Sequence, residues 1–251
     1  MSELEGQMQR VADLEPSTRA DMFKLYEMYY GGTSEKLFFE DLAEKQYAVI
    51  LRDDDRTLQG FSSIKVWEEV FAGRRVRVMF SGDTIVHQDH WGQQALAFTW
   101  IHFSGALKSE APETPLYWLL LVKGHRTYRY LRAFYRVFYP AHNRPTPPEA
   151  KALIDHLAGE KFGEFYNRDS GVVHFPESRG HLKADWAAIP EKDLRRPDVS
   201  FFLERNPGYT VGDELVCLTE LSHENQNPLA ARLFDAGFDG GLEAVLLKDE
   251  G

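Results

Sequence analysis

A chain of 251 residues with 43% hydrophobic and 27% charged side chains is long enough to bury a full core and too apolar for a disordered protein. Its formal charge of −10 sets the mean field against nonspecific binding of nucleic acid or an anionic membrane, so any anion site must be local. The longest apolar run, Leu116 to Val122, falls far short of the roughly 20 residues that cross a bilayer, the polar N-terminus carries no signal-peptide core, and one cysteine, Cys217, permits neither an internal disulfide nor a multi-cysteine zinc site; these features predict a cytoplasmic protein.

Residues 1–16 are polar and are expected to form a flexible N-terminus. From Ser17 to Tyr30, Met22, Phe23, Leu25, Tyr26 and Tyr29 recur at near-helical spacing, and Gly31-Gly32 ends that amphipathic helix. Thr33 or Ser34 then caps a second helix carrying Leu37, Phe38, Phe39 and Leu42. Tyr47 to Leu51 and Gly60 to Trp67 read as an antiparallel hairpin across the polar turn Asp53 to Arg56. A second turn at Ala72 to Arg74 leads into a long strand, Val76 to Val86, where Ser81-Gly82 marks a bulge or bend. Gln93 to Phe103 predicts a largely buried helix and Pro115 to Val122 a central strand, and a right-handed crossover makes that strand parallel to the one ending at Val86. Thr127 to Phe138 places Tyr128, Leu131, Tyr135 and Phe138 on one helical face, which Pro140 terminates. Beyond a proline-rich linker come a short helix at Glu149 to Leu157 and β-like pieces at Gly171 to Phe175 and Leu215 to Leu218. The expected organisation is a core over residues 17–145 with an extension, 146–251, packed on it.

The order helix, helix, three antiparallel strands, helix, strand, helix resembles the layout of the GNAT N-acyltransferases, a mixed, mainly antiparallel α+β sheet flanked by helices. Two patches sharpen the resemblance. Ile85 and Val86, followed through His87 to His90 by Trp91, Gly92, Gln93, Gln94, Ala95 and Leu96, resemble the family's acyl-CoA signature, a strand ending in Val-x-Pro and then Arg/Gln-x-x-Gly-x-Gly/Ala. Such a turn works because free N–H groups at a helix N-terminus bind pyrophosphate and glycine permits close approach. Here Trp91, Gln94 and Leu96 depart from the pattern, which leaves open an acyl-phosphopantetheine on a carrier protein beside acyl-CoA, and equally an ordinary turn in which Gly92 relieves strain.

The second patch, Leu131 to Pro140, resembles the family's later helix with its Phe-Tyr pair, and the resemblance implies that Tyr135 protonates the departing thiolate. The alternative is a core aromatic. Amine acylation also needs a base, and the family often keeps one on the long strand, where Asp83 and Ser81 are the candidates; by strict alternation both share a face with Met79 and Ile85 unless Gly82 breaks the count. A capping carboxylate is the bland account of Asp83. The resemblance further implies that backbone around Ser81, Gly82, Leu120 and Leu121 receives the pantetheine amides.

Arg126, Arg129, Arg132 and Arg136 recur every three or four residues and offer phosphate contacts, with Arg132 foremost, or a solvated face paired with nearby carboxylates. His87, Asp89 and His90 lack the further ligands and spacing of a metal centre, so no metal is expected. Phe98, Trp100, Phe103 and Trp118 are either core or the wall of a lipid-length acyl tunnel. The functional expectation is acyl transfer from acyl-CoA to a small-molecule amine, with a carrier-protein-dependent synthase and a non-catalytic binding protein as alternatives, and with the extension covering the acceptor site or forming a homodimer surface.

Overall fold

The computed structural model describes residues 3–246. In chain order they form β1 (Glu5–Arg10), α1 (Pro16–Tyr29), β2 (Tyr30–Gly31), α2 (Glu35–Ala43), β3 (Tyr47–Arg52), β4 (Leu58–Phe71), β5 (Arg74–Val86), α3 (Ala95–Ser109), β6 (Leu116–Val122) and α4 (His125–Phe134). The second half adds α5 (Pro148–Phe162), β7 (Tyr166–Asn167), β8 (Val172–Val173), β9 (His181–Leu182), α6 (Ala184–Ala187), α7 (Glu191–Leu194), α8 (Pro197–Arg205), β10 (Glu214–Glu220), α9 (Pro228–Gly240) and α10 (Leu242–Val245). No helix among the described residues is long and apolar enough to cross a membrane.

One eight-stranded sheet runs β1-β3-β4-β5-β6-β10-β8-β7, antiparallel throughout except for the parallel pair β5 and β6 at its centre. This is the α+β, mainly antiparallel arrangement that the GNAT resemblance implies. Two features correct the sequence-based expectation. The polar stretch Glu5–Arg10, expected to be flexible, is an edge strand paired with β3, and its Met8 is buried. Within the extension, β10 pairs directly with β6, so the C-terminal half completes the sheet rather than only covering it.

Alternation along the strands sorts the core into two layers. Ala48, Ile50, Phe61 and Ile85 meet α1 and α2, while Val49, Leu51, Ile64 and Met79 face the opposite layer of α3, α4 and α9. Val78 and Phe80 lie on the α1 and α2 side, farther along the sheet, under α5. Where α9 crosses α3 the packing is backbone to backbone: a Cβ on Gly105 would collide with the Phe234 carbonyl, and one on Gly237 with that of His102.

The irregularity anticipated at Ser81-Gly82 is a β-bulge. Ser62 pairs with Thr84 and Ile64 with Ser81, so the single residue Ser63 opposes both Gly82 and Asp83. One extra residue inverts the parity of everything after it. Ser81 therefore stays on the Met79 side, but Asp83 and Ile85 swing to the face of Phe80. Gly82 is held to a hydrogen side chain because a Cβ there would lie 2.5 Å from Ser63 Oγ and 2.7 Å from Lys45 Cε.

Candidate functional site

The parallel pairing of β5 and β6 ends at Ser81 opposite Leu120, and beyond that point the two strands part. Three cavities open around the gap. One of 520 Å³ reaches toward the N-termini of α3 and α4, one of 430 Å³ lies between α2, α5 and the β5 bulge, and one of about 30 Å³ runs into the α3 and α4 layer. Thr84 and Thr127 line all three, so the cavities converge on the place where the sheet splits.

The largest cavity is built to hold negative charge. Neither Gln94 before α3 nor Gly124 before α4 supplies a side-chain cap, which leaves the first N–H groups of both helices open. Arg126, Arg129, Arg132 and Arg196 line it. Trp91 donates its indole N–H to the Val86 carbonyl at 2.8 Å, and its ring supports the Arg126 guanidinium 4.2 Å from its centroid. Trp91 thus brings an arginine of α4 to the turn before α3. Gly92 sits at φ +103°, a backbone conformation that favours glycine.

Part of the arginine stripe is neutralised from the C-terminal half. Arg129 lies 3.6 Å from Asp193 and Arg132 3.8 Å from Asp198, which Arg196 also contacts at 3.3 Å. Burial acts against the charge on Asp198, yet Arg196 and Arg132 outweigh it and hold the carboxyl below its usual range. Burial, with Arg126 adding to it, pushes His125 down to about 4, so this imidazole is neutral at pH 7. Arg136 falls outside the helix and does not line the cavity.

The second cavity is acidic and aromatic. Tyr26, Tyr30, Phe38, Phe80 and Phe162 form much of its wall. The bulge delivers Asp83 here, where burial pushes its carboxyl up to about 7 against the pull of Lys123. Lys123 lies 3.5 Å from Glu214; burial opposes its charge, but Glu214, Tyr26 and Asp83 more than compensate and keep it an ammonium.

The small cavity is apolar and closed by two indoles in tilted contact. Trp100 and Trp118 have centroids 4.3 Å apart, and Tyr135 packs 5.8 Å from Trp118. Ser81 Oγ accepts the Trp118 indole N–H at 2.9 Å, which fixes that wall. These aromatics leave a pocket, not a lipid-length tunnel; Phe103 is fully buried in the core.

The structure gathers Ile85, Val86, Trp91, Gly92, Gln93, Gln94 and Arg132 around the largest cavity; Ala95 is the first residue of α3. Gln93 Oε1 is already engaged by the Leu4 N–H at 2.9 Å. Ser81 and Asp83 are separated onto two faces. Tyr135 differs most from expectation: α4 ends at Phe134, and Tyr135 is extended, bridged to Gln226, with a buried hydroxyl that has no hydrogen-bond partner. It lines the small pocket but not the large cavity. Tyr130, which lines both, was not singled out from the sequence. Its place one helical turn before Phe134 was the available signal. His87 and Asp89 approach to 3.6 Å, and among the described residues no three His, Cys, Asp or Glu side chains group as metal ligands would.

No family model and no curated protein matches the chain. Solved structures do. A conserved Enterococcus faecalis protein, a probable N-acyltransferase, is 15% identical over 53% of this chain, with a TM-score of 0.39; the match spans only 33% of that longer protein. The GNAT family N-acetyltransferase YhbS of Escherichia coli, in complex with CoA, is 16% identical over 53% of this chain and 71% of its own, with a TM-score of 0.37. Arabidopsis thaliana NAA60 in complex with acetyl-CoA is 13% identical over 53% of this chain and 87% of its own, with a TM-score of 0.38.

Proposed function

We propose that the protein transfers a short acyl group from an acyl-CoA thioester to the amine of a small molecule by direct attack. The observation that carries this reading is the meeting of three cavities at Thr84 and Thr127, where β5 and β6 part. Phosphates of the donor occupy the cavity of open helix N-termini and arginines, with the pantetheine running into the gap between the strands. The acceptor enters from the acidic cavity, and the acyl group lies in the small pocket.

An ammonium has no lone pair, so the acceptor must first lose a proton, and Asp83, poised near 7, takes it. The amine nitrogen then bonds to the thioester carbonyl carbon as the carbon–sulfur bond breaks, the electron pair leaves on sulfur, and the nitrogen gives its second proton to water. Tyr130 borders both the donor cavity and the acyl pocket and hydrogen-bonds the leaving thiolate. Burial raises the phenol above its ordinary value, and a thiol ionises near about 8.5, so complete transfer from the phenol would be uphill. Donation of a hydrogen bond is the productive role, with the thiolate protonated later by water. Tyr135 and Ser81 then shape the acyl pocket rather than move protons.

A pocket of about 30 Å³ has room for only one or two water-sized groups, which selects acetyl or propionyl. Free-thiol release should be followed with acetyl-CoA, octanoyl-CoA and an acetylated carrier protein, each with and without a panel of primary amines. Amine-dependent release from acetyl-CoA alone is expected. Comparable use of octanoyl-CoA would overturn the pocket assignment, release only from the carrier would replace the donor, and no release from any would leave a binding protein.

A further inference from the structure

The charges of the acceptor cavity are mostly matched within the protein. Asp41 pairs with Lys45 at 2.7 Å, Glu44 with Lys65 at 3.0 Å, Glu214 with Lys123 at 3.5 Å and Glu40 with Lys36 at 3.7 Å. Among the described residues, three charged groups lining this cavity have no opposite charge within 4.0 Å: Asp83, Lys161 and Arg179. Asp83 is an anion, and Lys161 and Arg179 are cations.

Lys161 lies at the last turn of α5, its ammonium 4.4 Å from the Phe80 ring centroid and 5.5 Å from that of Phe162. Burial, with Lys65 and Lys45 adding to it, pushes this amine down to about 8, the behaviour of a half-buried cation without a counter-ion; it is still charged at pH 7. Phe80 and Asp83 stand on the same face of β5 because of the bulge, three residues apart, or about 10 Å along the strand. The cavity therefore presents an anion receptor at one end, a base at the other, and aromatic wall between.

We propose that the acceptor is a zwitterion, with a primary amine directed at Asp83 and a carboxylate paired with Lys161 across an apolar body about 10 Å long. This rests on the acyl-transfer reading of the same cavity. A free α-amino acid does not match the spacing, because its amine and carboxylate are only about 3 Å apart. An ω-amino acid of about eight carbons does, as does any amine-bearing chain whose carboxylate sits at that distance.

The test compares 8-aminooctanoate, octylamine and 4-aminobutanoate, by thiol release from acetyl-CoA and by calorimetric binding to the CoA-saturated protein. The preference for 8-aminooctanoate over both others is expected to be about tenfold in kcat/KM and in affinity. In Lys161→Met that ratio falls to near one, and Lys161→Arg restores most of it. Equal use of octylamine, or a preference that survives in Lys161→Met, would overturn the proposal. If no amine releases thiol, the acyl-transfer reading fails, yet the calorimetric ratio still decides whether the zwitterion site exists.

Discussion

The two large cavities on either side of the β5 and β6 gap are built with opposite electrostatic logic. The larger uses arginines, planar and permanently charged, together with backbone N–H groups at two helix starts, and its acidic partners come from the C-terminal half. The side between α2 and α5 holds most of its carboxylates and lysines in pairs, leaves Asp83, Lys161 and Arg179 without an opposite charge within 4.0 Å, and buries Asp83 so that it titrates near neutrality. A chain with a formal charge of −10 thus gathers arginines around one cavity and a buried carboxylate that titrates near neutrality in the other. The first arrangement binds and does not titrate. The second titrates because burial raises the Asp83 carboxyl toward neutrality.

That contrast can be broken most severely at Asp83. Asp83→Asn should lower kcat/KM by about 10²- to 10⁴-fold, and the wild-type rise in rate as pH passes through about 7 should vanish with it. The same residue has a stability signature of defined sign. Its folded value lies above the unfolded one of about 3.9, so stability is greatest below that value and declines as pH rises toward 7. Asp83→Asn should therefore gain melting temperature relative to wild type at pH 8 but not at pH 4, a result that scanning calorimetry at the two pH values checks. Next in size, Tyr130→Phe should reduce kcat by about a hundredfold, while Tyr135→Phe changes it less than about tenfold. Steady-state kinetics showing the reverse order would return the thiolate partner to Tyr135. Smallest, Arg126→Met on the donor side should weaken CoA binding by about tenfold and reduce its salt sensitivity without moving the pH profile, as titration calorimetry at two ionic strengths would show.

Much of the fold was legible because its signals are local. Ser34 caps α2 by accepting from the Leu37 N–H, the Asp53 to Arg56 turn joins β3 to β4, and Ser81-Gly82 marks the bulge. What escaped the sequence depends on distant partners. In Glu5–Arg10 only Met8 is apolar, so no alternation betrays a strand whose order comes from pairing with β3. The pattern of α4 continues to Phe138, but Asn225, nearly ninety residues later, captures the backbone of Arg136 and Val137 at 2.7 and 2.8 Å and ends the helix at Phe134. The turn at Trp91-Gly92 was readable as a place for an anion, whereas its guanidinium comes from Arg126 through a ring contact that no spacing predicts. The acceptor cavity was illegible for the same reason, since α5 and β10 contribute Lys161 and Glu214 from beyond the segment that resembles the family.

The glycine crossing of α3 and α9 has a mechanical consequence. A helix met backbone to backbone at Gly105 and Gly237 cannot slide or roll along its neighbour without losing the whole contact. α3 is thereby anchored around His102 to Gly105, like the fixed jaw of a vice. Among the described residues, the opposite wall has no such crossing at Leu182, Trp186 and Asp198, which bring the C-terminal half into the cavity that begins at α3.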